Sequence, residues 1–370
     1  IRFTDKNGND LYYWIGEKVI GTSANVLVRV NSLPPGDTTI YMFYGDPSAT
    51  DQSNFDMIFT WDDRTNPDLM ISYKNYLEGA WDPDVAYGDG RFLVAWEEGL
   101  GPEDIPFEGH RLASRQIHGR TYDSDGKNPY PNPQDDLDLY ISSGPDDTSY
   151  HAENPSIAFG SGKFFIAWEE NLIANGRYAV DIKGALVGTD GSITKRFTIC
   201  NANNGQYDPC VAYANGRFFV VWEDSRDSSN NYDVYGRIFD GNGNPIASDF
   251  QVAAGANYQG EPWICADNQG NFMVVYEDGF DPAIGPFSLY AQRFDNNGNK
   301  LGSRVTIAQG SASQDHIFPS VTYCPQTERY FVAWNDGDIS VDPNSRSSYD
   351  GNVWGCLLYT SDAADEEDSV

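Results

Sequence analysis

The phrase Asp208-Pro209-Cys210-Val211-Ala212-Tyr213 is followed, after a short Gly-containing turn, by a run of aromatic, aliphatic and acidic residues at 218–224. The phrase occurs five times, and its prolines are spaced 72, 54, 53 and 57 residues apart. The copies begin at Asp82, Asn154, Asp208, Glu261 and Phe318. Repeats of this length with a strand pattern and no helical period are typical of propellers and β-solenoids. The sequence therefore predicts an all-β fold.

The third repeat indicates four strands, at residues 211–213, 218–222, 232–239 and 250–252. The segment between the last two, Asp240-Gly241-Asn242-Gly243-Asn244-Pro245, suits a hairpin turn because its residues tolerate positive φ. The first two strands are apolar on both faces, as strands are when sheets stack face to face around a propeller axis. We therefore predict a five-bladed β-propeller over residues 69–355.

The two ends of this propeller are each incomplete. Leu69-Met70-Ile71-Ser72 precedes the first phrase just as Phe197-Thr198-Ile199-Cys200 precedes the third, so it reads as an outermost strand without its own blade. The fifth repeat reaches only the start of a third strand, at residues 352–355. We predict that the N-terminal strand completes the last blade and removes the free sheet edge.

The regions outside the propeller differ from it in character. Residues 1–50 alternate short strands with Pro/Gly turns and predict a separate small β module, and residues 51–68 form a polar connector. Because the chain opens at Ile1 directly in a strand pattern, we expect that an upstream segment is missing. Residues 356–370 resemble a translated sequencing adapter, and we predict that they are a non-native tail.

Charge limits the partners. The chain has 24 Lys and Arg against 55 Asp and Glu, for a net charge of −31, which disfavours nucleic acid and acidic membrane surfaces. No apolar run approaches the roughly 20 residues of a membrane helix, so no membrane insertion is predicted. Solubility or cation binding suits this acidity.

The sequence favours neither a zinc site nor a histidine metal centre. The cysteines lack close metal-type spacing, and packing is favoured for them, with a Cys200–Cys210 bridge left open. No two of the four histidines lie at ligand spacing.

Pairs of acidic or amide residues close the second strand of each repeat, and we expect them on one face with the pre-proline acids. The pairs are Glu97-Glu98, Glu169-Glu170, Glu223-Asp224, Glu277-Asp278 and Asn335-Asp336. If the protein is an enzyme, Asp82, Asp208, Glu261 and Glu223 are the candidate acids and bases on a glycosidic bond. The same register in every blade favours instead a shared structural duty, such as capping loop amides or pairing with Arg226.

Aromatic residues in the loops between blades complete the candidate binding set, because aromatic rings stack on sugars. The predicted binding residues are Trp81, Tyr207, Tyr258, Glu97, Glu169, Asp224 and Glu277.

Calcium is the predicted ion, because oxygen donors recur at short spacing. The candidate ligands are Asp278, Asp281, Asp336, Asp338, Asp240, Asn242, Asp295 and Asn297. A tight hairpin demands Asn-Gly or Asp-Gly for backbone reasons alone, so the turn members of this set have a second interpretation.

Two segments resemble known families. The third repeat, with FFVVWEDSR at 218–226 and YDVYGRIFDGNGNPIASDFQV at 232–252, is similar to β-propeller repeats of large secreted and surface proteins of bacteria and archaea. The segments IRFTDKNGNDLYYWI at 1–15 and VLVRVNSLPPGDTTIYMFYGDPSAT at 26–50 resemble a small domain of unknown function found beside lectin-like modules of prokaryotic surface proteins. The resemblance implies a secreted or cell-surface location and no single chemistry.

We therefore predict a non-catalytic secreted or cell-surface module that is stabilised by calcium and binds a glycan or a surface protein. Two alternatives stay open. One is a glycoside hydrolase or other glycan-active enzyme that uses the carboxylates of the shared face, and the other is a structural subunit of a surface layer or filament.

Overall fold

The computed structural model describes residues 2–4, 10–11, 13–19, 23–28, 41–43, 71, 78–100, 115–126, 129–130, 138–142, 150–172, 180–228, 231–279, 286–311, 314–337 and 352–359. Within these ranges every regular element is a β-strand. No helix in this part of the chain is long and apolar enough to span a membrane.

The chain divides into two compact units, Ile1–Met70 and Ile71–Val370. The described strands of the first unit are β1 (Arg2–Thr4), β2 (Asp10–Leu11), β3 (Tyr13–Val19), β4 (Ser23–Val28) and β5 (Tyr41–Phe43). They form a three-stranded sheet in the order β2-β1-β5 and a hairpin of β3 with β4. The predicted connector at 51–68 lies outside the described residues, so its boundaries stay a prediction.

The second unit contains five sheets, which we call blades 1 to 5. Blade 1 comprises β6 (Glu78–Gly88), β7 (Arg91–Leu100), β8 (Gln116–Asp123) and β9 (Leu139–Tyr140). Blade 2 comprises β10 (Tyr150–Gly160), β11 (Lys163–Leu172), β12 (Val180–Gly188) and β13 (Ile193–Cys200). Blade 3 comprises β14 (Gln206–Ala214), β15 (Arg217–Ser228), β16 (Asn231–Asp240) and β17 (Phe250–Ala253).

The remaining two blades follow the same plan. Blade 4 comprises β18 (Tyr258–Ala266), β19 (Phe272–Gly279), β20 (Phe287–Phe294) and β21 (Lys300–Ala308), and blade 5 comprises β22 (Asp315–Cys324), β23 (Arg329–Gly337) and β24 (Asn352–Tyr359). In each blade the strands pair antiparallel in chain order. The predicted all-β, five-bladed fold is confirmed. Strand β24 pairs with β23 as far as Tyr359, past the predicted end at residue 355, and the origin of residues 356–370 stays a prediction.

Apolar clusters between successive blades form the core, as the two-sided apolar strands predict. Phe164 of blade 2 packs among blade 1 residues, and Phe165, its neighbour in the strand, packs toward blade 3. Phe219 of blade 3 packs against blade 4 in the same way. Because adjacent residues of a strand point to opposite faces, one strand supplies two interfaces. Cys200 and Cys210 are free and buried within these clusters.

The predicted closing strand is described at one residue, Ile71, since Leu69, Met70 and Ser72 lie outside the described residues. Ile71 packs against Val94, Trp96 and Tyr122 of blade 1, and its carbonyl oxygen accepts a hydrogen bond from Arg120. Ile199, the last residue but one of blade 2, likewise accepts a hydrogen bond at 2.9 Å from Arg237 of blade 3. Ile71 thus lies where the outermost strand of a preceding blade belongs.

Blade 5 has three described strands, and side chains on one of its faces are exposed. Tyr330 and Leu358 face blade 4, whereas the cross-strand pair Phe331 and Leu357 on the other face is 45% and 50% exposed. The pairing of the N-terminal strand with this blade therefore stays a prediction.

Candidate functional site

The first strand of every blade carries a bulge at its proline. The pairing of the first and second strands shifts register there, for example between Tyr207 and Cys210. The residue before each proline has positive φ, with values of 46° at Asp82, 51° at Asn154, 49° at Asp208, 46° at Glu261 and 52° at Phe318. A β-bulge redirects one side chain and one amide of its strand. These five equivalent residues are the pre-proline residues named below.

The first acid of a pair accepts a hydrogen bond from the backbone amide of the pre-proline residue in the next blade. The carboxylate Oε1 atom lies 2.7 to 2.8 Å from that backbone nitrogen in four cases, which are Glu97 with Asn154, Glu169 with Asp208, Glu223 with Glu261, and Glu277 with Phe318. Repetition of these acids in register thus has a structural cause, since each one joins two blades and satisfies a backbone donor.

The second acid of the pair is held inside its own blade. Glu98 and Asp224 accept the indole N–H of the tryptophan two residues earlier at 2.9 and 2.8 Å. A cation also lies close, with Arg226 2.6 Å from Asp224. Asp224, a predicted binding residue, is 1% exposed and contacts Trp222 and Arg226.

Strands of blades 2, 3 and 4 line an open cavity of about 290 Å³, which we call the inner cavity. Its lining combines one amide, three carboxyl groups and three phenols, from Asn154, Glu169, Tyr207, Asp208, Glu223, Tyr232 and Tyr258. One carboxylate oxygen each of Asp208, Glu223 and Glu261 lies within 4.8 Å of the others. The bulges bring these groups together because they turn the pre-proline side chains of neighbouring blades toward one another.

Burial gives the acids of the cavity unusual protonation. Burial, followed by the charge of Asp208, raises the pKa of Glu169 to about 8. Burial, followed by the charges of Asp208 and Glu261, also raises the pKa of Glu223. The pKa of Asp208 is raised by burial alone. The negative charge of Asp208 thus acts on both neighbouring carboxyl groups, and a pKa of about 8 keeps Glu169 mostly protonated at neutral pH.

The phenols are ordered by each other and by the acids. The Tyr258 hydroxyl donates a hydrogen bond of 2.6 Å to Glu223 Oε1. The Tyr232 ring lies between the other two phenols, with centroids 5.8 Å from Tyr207 and 5.5 Å from Tyr258. Burial raises the pKa of all three, so they are neutral hydrogen-bonding groups. The cavity therefore offers aromatic faces beside directed polar groups, a combination typical of small-molecule sites.

The structure brings together part of the predicted set. Tyr207, Tyr258, Glu169, Asp208, Glu223 and Glu261 lie at the inner cavity. The others lie elsewhere. Arg115 stacks over the Trp81 ring at 4.7 Å and forms an ion pair with Glu97 at 3.0 Å. Glu277 is 1% exposed and accepts the backbone amide of Phe318. Asp82 is an exposed residue of blade 1.

The predicted calcium ligands of the hairpin turns have protein partners. Asp240 Oδ1 accepts the amides of Asn242 and Asn244 at 2.9 Å, and Asp295 Oδ1 accepts those of Asn297 and Asn299 at 2.8 and 2.9 Å. The Oδ1 atoms of Asn242 and Asn297 face Lys163 and Arg217 at 3.5 and 2.7 Å. This geometry supports the turn interpretation of these four residues.

The acidic loops give no calcium geometry in the described part of the chain. Asp278 binds Arg304 at 2.8 Å, and Asp336 lies 3.2 Å from His316. Asp281 and Asp338 lie outside the described residues.

Two lining residues, Asn154 and Tyr232, are absent from the predicted set. Asn154 occupies the pre-proline position of its repeat, so the register of the phrase signals it although it is not an acid. Tyr232 carries no such signal, because the corresponding positions at the start of the third strands of blades 1 and 4 hold Arg115 and Phe287.

Comparison with known proteins finds a similarity at the N-terminal end of the chain. Residues 1–82 match the domain of unknown function DUF2341, which confirms the predicted resemblance over a longer stretch. No curated protein matches the chain. The resemblance of the blades to repeats of surface proteins stays a prediction.

Solved structures share the fold at low identity. A protein of unknown function from Dyadobacter fermentans DSM 18053 has a TM-score of 0.52 at 13% identity, with 78% of this chain and 85% of that chain covered. A thermostable family-43 glycoside hydrolase has a TM-score of 0.44 at 12% identity, with 80% and 94% covered. An α-L-arabinofuranosidase from Lactobacillus brevis has a TM-score of 0.43 at 13% identity, with 77% and 93% covered. At 13% identity the likeness to the Dyadobacter fermentans protein concerns the fold alone.

Proposed function

We propose that this protein is glycan-active and binds a sugar unit in the inner cavity. The observation that carries the proposal is the lining, in which Tyr207, Tyr232 and Tyr258 stand beside Asn154 and the acids Glu169 and Glu223, whose pKa values are raised by burial. Sugars present C–H faces that pack on aromatic rings and hydroxyl groups that pair with amides and carboxyls. A volume of about 290 Å³ suits one or two sugar rings.

A glycan array followed by calorimetry on the intact chain tests this proposal. We expect Tyr232→Ala to weaken binding of the selected glycan at least about tenfold, because it removes an aromatic face of the cavity. Tyr87→Ala is the control, since Tyr87 is an exposed tyrosine of blade 1 that does not line the cavity. Equal effects of the two substitutions, or no glycan bound by the parent chain, would overturn the proposal.

Hydrolysis of a glycosidic bond is a second candidate function, and the neighbouring acids Glu169 and Asp208 in the cavity favour it. A glycosidase needs one carboxylic acid that donates a proton and one carboxylate that acts as nucleophile or base. Glu169, with its pKa raised to about 8, suits the proton donor, and Asp208 is the candidate for the other role. We expect Asp208→Asn to abolish release of reducing sugar from a glycan that the parent chain binds, while binding persists. Binding without turnover by the parent chain would support the non-catalytic function.

Calcium binding and a secreted or cell-surface location remain proposals. Among the described residues, the group of Asp208, Glu223 and Glu261 suits calcium better than the hairpin turns do, because calcium prefers several carboxylate oxygens. Running the glycan assay with and without calcium tests this point. Unchanged affinity and unchanged thermal stability would remove calcium from the proposal.

A further inference from the structure

A second cluster of ligand-type side chains lies in blade 1, away from the inner cavity. Glu98 on β7, His118 on β8 and Asp138 just before β9 are 5%, 6% and 8% exposed. One ligand atom from each residue lies within 4.8 Å of the others. The three residues are distant in sequence, and the antiparallel pairing of β7, β8 and β9 brings them together.

The imidazole is aimed into this cluster. His118 Nδ1 lies 2.9 Å from Glu98 Oε1 and 3.7 Å from Asp138 Oδ2. This nitrogen is buried, and no described atom lies in a direction that completes a hydrogen bond with it. Two carboxylate oxygens that approach one imidazole nitrogen off its hydrogen-bonding direction resemble ligands that share a metal ion, whose own bonds are about 2.0 to 2.2 Å long.

Other side chains hold both carboxylates in place. Trp96 Nε1 donates to Glu98 Oε2 at 2.9 Å, which orients Oε1 toward His118. Arg120 donates to Asp138 Oδ1, which orients Oδ2 toward the same imidazole. Outer hydrogen bonds of this kind fix ligand orientation in protein metal sites.

The corresponding positions of other blades show what this cluster replaces. Lys183 of blade 2 stands opposite Trp168 just as His118 stands opposite Trp96, and its Nζ lies 2.9 Å from Asp181 and 3.9 Å from Glu170. In blade 3 the corresponding residue is Tyr235, and the basic group comes instead from Arg226 of β15, which lies 2.6 Å from both Asp224 and Asp249. These blades thus place a basic side chain between two acids, where blade 1 places an imidazole.

We propose that Glu98, His118 and Asp138 form a structural site for a divalent transition-metal ion, with zinc as the test ion. One imidazole nitrogen and two carboxylate oxygens are ligands that zinc accepts, and the imidazole favours such ions over calcium and magnesium. The bound ion would link β7, β8 and the start of β9 inside blade 1.

The rival explanation is a charged histidine that only pairs with the acids. Burial lowers the pKa of His118, and the neighbouring Asp138 and Glu98 carboxylates outweigh this effect, so the pKa lies above its ordinary value. An imidazolium at this position would repeat the role of Lys183 and would bind no metal.

Titration of chelator-treated full chain with Zn²⁺, and with Co²⁺ as a spectroscopic probe, separates the two explanations. We expect one metal ion to bind tightly per chain and to raise the unfolding temperature. We also expect Co²⁺ absorption bands that report the imidazole ligand. Excess calcium should not displace the ion, whereas it should displace zinc held loosely by surface acids.

His118→Lys is the decisive variant, because it installs the solution that blade 2 already uses and should leave the fold intact. We expect it to lower zinc affinity at least about a hundredfold, since a charged ammonium is not a ligand. His316→Ala is the matched control, because His316 lies 3.2 Å from a single acid, Asp336, and its loss should leave the tight equivalent unchanged. No tight equivalent in the parent chain, or equal binding by a folded His118→Lys variant, would overturn the proposal.

Discussion

At the scale of single residues, the carboxyl groups of this protein divide by what their oxygens contact. Glu169 Oε1 accepts the Asp208 amide at 2.8 Å and the Asn154 side chain at 2.7 Å, so the residue joins blades 2 and 3 and lines the inner cavity as well. An acid that accepts two hydrogen bonds in a buried place is still penalised for its charge when a second acid stands beside it. This combination accounts for its pKa of about 8.

Glu169 should make the protein less stable as pH rises. Its pKa increases from the ordinary 4.5 to about 8 on folding, so the folded chain holds the proton more tightly, and the free energy of unfolding falls between these two values. We expect Glu169→Gln to flatten this fall, by on the order of 2 kcal/mol at the alkaline end. Thermal unfolding at several pH values measures it. Glu328→Gln, at an exposed turn, is the control, and parallel profiles for Glu169→Gln and the parent chain would contradict the argument.

At the scale of elements, the bulge of each first strand links backbone geometry to the site. A non-glycine residue with positive φ costs about 1 to 2 kcal/mol, less for Asn and Asp. Asn154 and Asp208 suit that conformation, whereas Phe318, with φ of 52°, does not. The hydrogen bond that the Phe318 backbone amide donates to Glu277 Oε1 at 2.7 Å holds the bulge despite this cost.

Phe318→Asn should therefore stabilise the protein. The asparagine adopts the same φ with less strain and keeps the backbone amide for Glu277, so we expect a gain of about 1 kcal/mol. Phe318→Ala is the control, because it also removes the half-exposed ring and leaves the backbone strain. Urea unfolding compares them, and an asparagine variant no more stable than the alanine variant would refute the strain argument.

At the scale of the whole molecule, the blades depend on one another through the clusters between them. The buried ring of Phe219 in blade 3 lies 5.4 Å from that of Phe272 and 5.5 Å from that of Phe294, both in blade 4. Phe331 occupies the same repeat position in blade 5 and is 45% exposed. Equivalent side chains thus differ in burial only because a described neighbour covers one of them.

Phe219→Ala should cost about 3 to 5 kcal/mol and loosen two blades at once, since it leaves a cavity in their shared interface. Phe331→Ala should cost less than about 1 kcal/mol, because its ring buries little surface. Hydrogen exchange should show lower protection in both blades 3 and 4 for the first variant. An equal cost at Phe331 would show that its face is covered in solution, as the predicted ring closure requires.

Sequence repetition alone predicts the five blades, the placement of their strands and the register of the acids, because those features repeat and depend on local pairing between neighbouring segments. The structural duty of the acid pairs also follows from that register, and the amide contacts of Glu97, Glu169, Glu223 and Glu277 give its form. Only the tertiary structure decided which groups meet. The inner cavity joins Asn154, Asp208 and Tyr258 from three blades, and the cluster of Glu98, His118 and Asp138 joins segments with no common motif. Stacking sets such distances between side chains far apart in the chain, and no local pattern of residues encodes them.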